Sequence, residues 1–152
     1  MRIFALGGGS FEECLPLHLD FIAWAGKSNP RLWYVPTATQ DAEERCLLGR
    51  RAFTELGCQV DVLRLTQGDD PEALRSADLV YVGGGNTKWM IEVWRKTGTD
   101  QVLRELAESG VPMGGVSAGA ICWFRAGNSD WPQYEGIPDV LTAPVEGLGW
   151  YD

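Results

Sequence analysis

Histidine is nearly absent: the chain of 152 residues has one, His18. That scarcity bears on any hydrolytic reading, because a serine hydroxyl needs a base to take its proton and an imidazole is the usual one. No run of Lys and Arg interrupts a formal net charge of −8, which argues against a nucleic-acid partner. No apolar stretch approaches the roughly 20 residues that cross a bilayer. Met1-Arg2 leads straight into an apolar run rather than a signal peptide. The expected compartment is the cytoplasm, with no membrane partner. C-x-x-C spacing is missing too. Cys14, Cys46, Cys58 and Cys122 are scattered and read as reduced thiols, not as a disulfide frame or a metal site. No metal and no cofactor is expected.

What is abundant is glycine, with 19 residues, and tryptophan, with seven. The glycines gather at Gly7-Gly8-Gly9, Gly83-Gly84-Gly85 and Gly114-Gly115, each directly after an apolar run. Such placement marks strand ends where backbone approaches a ligand closely. Apolar runs at 2–6, 31–36, 58–65, 77–82 and 111–116 read as strands. Between them, 11–25, 41–56, 71–76, 87–96 and 99–109 read as helices, with Gly26, Gly57 and Gly98 at three of their ends. Alternation of this kind predicts βαβ units and one three-layer α/β/α domain over 1–152, with a mostly parallel sheet of flavodoxin-like type. The segment 127–152, rich in Trp, Pro, Gly and acids, reads as loops and short strands near the active site.

Gly115-Val116-Ser117-Ala118-Gly119 has the G-x-S-x-G form of a nucleophile elbow, where a strand turns sharply into a helix and leaves a serine hydroxyl exposed. In an open α/β sheet, ligands bind outside the carboxyl ends of the strands. Gly83-Gly84-Gly85-Asn86-Thr87 ends one such strand and Ser117 the next. Amides of the glycine loop and of Ala118 can then face a carbonyl attacked by Ser117 as an oxyanion hole. Asn86 or Thr87 can also cap the helix that follows, and no Lys-Ser/Thr pair completes a phosphate loop. His18, between Leu17 and Leu19, reads as a helix-face residue, and Cys122 as packing. Trp89, Trp94, Trp123 and Trp131 read as core or interface residues, with Trp131 also able to line a substrate pocket.

VGGGNT at 82–87 followed by GVSAGA at 115–120 resembles the peptidase E (aspartyl dipeptidase) and cyanophycinase family of serine peptidases. The opening strand with its glycine triad and Val35-Pro36-Thr37-Ala38 fit the same family, so the resemblance covers essentially the whole chain. It implies a fold like that of class I glutamine amidotransferases and a nucleophile at Ser117. It also implies oxyanion donors at Gly84 or Gly85 and at Ala118, a substrate contact at Asn86 and an acidic triad partner at Asp130 or Glu135. Glu135 is favoured for its spacing of 18 from the serine. The implied substrate is a small peptide with an N-terminal acidic residue, cleaved through an acyl-enzyme. A cyanophycinase-like hydrolase and a non-catalytic, truncated or self-associating form, such as a homodimer, are the alternatives. The family histidine lies in a Pro-His-Tyr-like segment that would fall just past Asp152, so the chain is expected to lack the last part of the family fold.

Overall fold

A computed structural model describes all residues from Met1 to Asp152. Five strands form one parallel sheet: β1 (Ile3–Leu6), β2 (Arg31–Val35), β3 (Gln59–Val62), β4 (Leu79–Val82) and β5 (Met113–Val116), in the order β1-β5-β4-β2-β3. Helices α1 (Leu15–Ala23) and α2 (Glu43–Glu55) cover one face, and α3 (Thr87–Thr97) and α4 (Thr99–Glu108) cover the other. The alternation of β4 explains the layering. Leu79 and Tyr81 enter a core with Phe21, Ile22 and Phe53 of α1 and α2. Val80 and Val82 enter the opposite core with Met90, Trp94, Leu103 and Leu106 of α3 and α4. A strand buried on both faces must be apolar throughout, which is why LVYV reads as a run and not as an alternation.

The elements differ from the sequence expectations mainly at their ends. The first helix begins at Leu15, because Ser10 and Glu13 trade side-chain and backbone bonds across a preceding turn at 2.9 and 3.2 Å. Residues 71–76 form a 3-10 helix opened by an Asp70 cap. The third strand stops at Val62, where Asp69 takes the amide of Arg64 and turns the chain. After Ser117 come α5 (Ala118–Ile121), β6 (Ala126–Ser129), α6 (Trp131–Tyr134) and β7 (Ala143–Glu146), with β6 and β7 paired antiparallel. The closing residues run back along 122–125: Leu148 and Trp150 donate to the carbonyls of Cys122 and Trp123 at 2.7 and 2.9 Å. Trp94, Trp123 and Trp150 stack in series, with centroids 6.3 and 5.0 Å apart, so these three tryptophans anchor the C-terminal segment to the core.

Pairing register sets the carboxyl ends of four strands level. Leu6 lies opposite Val116, Val82 opposite Gly115, and Val35 opposite Val82. The residues that follow, Gly7, Pro36, Gly83 and Ser117, therefore leave the sheet along one edge. No helix is long and apolar enough to cross a membrane.

Candidate active site

The carboxyl edge of the sheet opens into a cleft of about 770 Å³ that contains Ser117. Leu6 and Gly9 border it from β1, Gly84 and Gly85 from β4, and one face of α2 forms a wall. Ser117 has φ 54°, a left-handed conformation that side chains adopt only under constraint. Two anchors hold it there. Its amide donates to Leu6 O at 2.9 Å, and its carbonyl accepts from Ala120 and Ile121 at 2.8 and 3.0 Å, starting α5. The flanking glycines have no room for anything larger. A Cβ on Gly119 would run into the Val82 carbonyl, and one on Gly115 into the Gly119 carbonyl and, at 2.7 Å, that of Val82. The G-x-S-x-G spacing is thus a packing requirement between β4, β5 and α5.

Gly84 lies against the serine. A Cβ there would stand 3.2 Å from Ser117 Cβ and 3.7 Å from its Oγ. Gly85 has φ 137° and passes so close to the Ala38 carbonyl that only glycine fits. On either side, the Gly83 amide is spent on Val35 O and that of Asn86 on Ala38 O, at 3.1 and 2.8 Å. Between them the Gly84 and Gly85 amides have no backbone acceptor. Ala118 opens α5, where a first-turn amide has no intrahelical partner either. The arrangement offers donors from two directions beside one hydroxyl. Asn86 caps α3, its Oδ1 accepting from Trp89 N at 3.0 Å, which leaves only its amide nitrogen for a substrate.

The acidic candidates lie elsewhere. Glu135 meets Lys88 at 3.0 and 3.1 Å just after the glycine loop, and it does not line the cleft. Asp130 precedes α6 and also lies outside the cleft lining. Trp131 stacks under Lys88 at 4.3 Å and donates to Pro144 O, so it supports the pairing of β6 with β7 and does not line the cleft. Of the segment 127–152, expected as loops and short strands near the active site, Tyr134 alone lines the cleft.

His18 is more than the helix-face residue its neighbours suggest. It is 2% exposed, lies in the cleft wall and hydrogen-bonds the Tyr81 hydroxyl through Nε2 at 3.0 Å. Phe11 stacks on it at 4.4 Å, and Nδ1 has no partner. Burial lowers its pKa, outweighing a smaller opposing pull from the Cys14 backbone. The unfolded chain therefore takes up this proton more readily than the folded one. Stability is full above about pH 6.5 and declines as pH falls below it, by up to about 1.4 kcal/mol per unit. As the only histidine, His18 is expected to dominate urea midpoints between about pH 7 and 5.5, and His18→Gln to flatten that slope.

A strained serine between strand and helix, packed against a glycine loop at the mouth of an open cleft, is the arrangement of a nucleophile elbow on a three-layer α/β/α fold. The chain belongs to peptidase family S51, whose model matches residues 3–152. It is 34% identical to an uncharacterized peptidase of Bacillus subtilis strain 168 over 135 residues, covering 85% of this chain and 59% of that one. Peptidase E of Streptomyces coelicolor is 33% identical over 114 residues, covering 74% of this chain and 44% of its own length. Among solved structures, a Listeria monocytogenes EGD-e protein classed with peptidase E matches at TM-score 0.72 and 25% identity, over 99% of this chain and 75% of that one. A peptidase from an acI-B1 actinobacterium shares the fold at TM-score 0.75 and 21% identity, over 97% and 64%. The chain thus spans roughly half to three fifths of the length of the curated relatives cited here.

Proposed function

We propose that residues 1–152 carry the nucleophile and oxyanion donors of a serine-type dipeptidase that releases an N-terminal acidic residue. The carrying observation is Ser117 at φ 54° with Gly84 packed against its side chain inside the cleft. In this reading Ser117 Oγ attacks the peptide carbonyl, and the developing oxyanion is taken by the Gly84 or Gly85 amide together with that of Ala118. Each such donor contributes about 10²–10³ in rate when the site is dry and preorganised. The carbonyl then re-forms as the C–N bond breaks. This leaves an acyl-enzyme ester on Ser117 and a free amine, and water later hydrolyses the ester. His18 is engaged with the Tyr81 hydroxyl through Nε2 and makes no hydrogen bond to Ser117, so this reading gives it no part as the base. The Ser117 proton passes to a general base and from it to the departing amine. The acidic preference rests on the resemblance of VGGGNT at 82–87 and GVSAGA at 115–120 to the peptidase E (aspartyl dipeptidase) family.

A fluorophosphonate probe tests the reading on the whole protein. Time-dependent labelling that maps to Ser117 by mass spectrometry, and that Asp-Leu slows by competition, is the expected result. Labelling at another residue, or none while Asp-Leu is still cleaved, sinks the assignment.

A further inference from the structure

Four charged side chains line the cleft: Glu12, Arg45, Arg51 and Glu55. Arg51 and Glu55 neutralise one another at 2.8 Å. Arg45 has no ion-pair partner, and it occupies the first turn of α2, where the helix macrodipole disfavours a cation. An unpaired guanidinium in that place is free to take an anion from outside the chain.

A second group points the same way. Tyr34 is 8% exposed, and its ring packs against Gly49, where a Cβ would run into a ring carbon. Gly49 is four residues after Arg45, so both lie on the face of α2 turned toward Tyr34. Burial pushes the Tyr34 hydroxyl up to about 12, and Arg45 is the charge that pulls it back down, which places the guanidinium near the phenol. That hydroxyl ends at the glycine loop, 2.7 Å from where a Gly83 Cβ would be, and the next residue, Gly84, packs on Ser117. The other buried tyrosine, Tyr81, gives its hydroxyl to His18, whereas the Tyr34 hydroxyl has no partner in the chain although it lines the cleft.

We propose that Arg45 and the Tyr34 hydroxyl form an anion subsite beside Ser117 that takes the side-chain carboxylate of the substrate's acidic residue. This rests on the dipeptidase reading and supplies its specificity from two residues of this chain. The guanidinium only donates and the phenol O–H adds a further donor, so together they match both oxygens of a carboxylate, whereas the NH2 of an asparagine side chain would face a cation with only the phenol oxygen to accept from it. Arg51, unlike Arg45, already has a carboxylate partner in Glu55. Glu12, entering from the loop after β1, is the remaining unpaired charge of the cleft and its sign suits the substrate's amino group.

Calorimetric titration of Asp-Leu and Asn-Leu into the Ser117→Ala chain separates binding from turnover. Asp-Leu is expected to bind about 10-fold or more tightly than Asn-Leu. Arg45→Gln should erase that ratio, Arg45→Lys should restore part of it, and Tyr34→Phe should reduce it several-fold. Arg45 is exposed and the Tyr34 hydroxyl has no internal partner, so circular dichroism melts of these variants should match the parent's. Equal binding of the two peptides by the parent, no binding of Asp-Leu at about 10 mM, or an undiminished ratio in Arg45→Gln overturns the subsite. Failure of fluorophosphonate labelling would instead overturn the dipeptidase reading and leave the measured ratio standing.

Discussion

Ser117→Ala is expected to abolish fluorophosphonate labelling and to lower hydrolysis of Asp-Leu by about 10⁴–10⁶. Removing the nucleophile of a unit that works through a covalent intermediate costs nearly the whole covalent advantage, and the oxyanion donors alone leave about 10³ over water. Ser117→Gly should lose activity to the same extent and yet melt higher. The serine sits at φ 54°, where a Cβ costs about 1–2 kcal/mol and glycine costs little. For a domain of this size that strain corresponds to a rise of about 2–8 °C. Ser117→Ala keeps a Cβ and the strain with it, so its melting temperature should stay near that of the parent. The pair of variants thus separates chemistry from conformation. Equal melting temperatures for Ser117→Gly and Ser117→Ala would mean that the elbow stores no such strain.

The strained turn was legible in the sequence because its cause is local. Two glycines, two positions before and two after a serine that follows an apolar run, describe a place where a chain turns with no lateral space. The parallel sheet was legible for a similar reason: runs such as LVYV are apolar on both faces, and only a sheet covered twice needs that. The cleft walls were not. Gly49 looks like an ordinary interruption of a helix until the ring of Tyr34 is found lying on it, and that contact joins residues on separate elements. His18 reads as a lone polar residue among leucines because its partners, Phe11 and Tyr81, come together only when β4 and α1 stack. Glu135 shows the converse. Its spacing from Ser117 carried the expectation, while the structure pairs it with Lys88, a contact no spacing rule contains. Charges in polar loops take whatever partner the fold delivers. Positions forced by backbone crowding have no such freedom, and they are the ones a sequence reveals.

Crowding of that kind sets the second large effect. Gly119→Ala should destabilise the protein by about 3 kcal/mol, read as a lower urea midpoint with an unchanged slope. The new methyl would enter the space held by the Val82 carbonyl and Cβ. Val82 is fully buried at the end of β4 and paired with both β2 and β5, so it has nowhere to retreat. Helix propensity alone favours alanine over glycine inside α5 by up to about 1 kcal/mol, so a net loss would isolate the steric term. The displacement should also reach function, because Val82 leads directly into Gly83-Gly84-Gly85 and Gly119 follows Ala118, so one clash moves both sources of oxyanion donors. Labelling of Ser117 should slow by about 10²-fold or more even at temperatures where Gly119→Ala remains folded. Gly110→Ala gives the control. That glycine also has a positive φ, at 100°, but a Cβ there meets nothing within 4 Å, so its cost should be backbone strain alone, with the labelling rate unchanged.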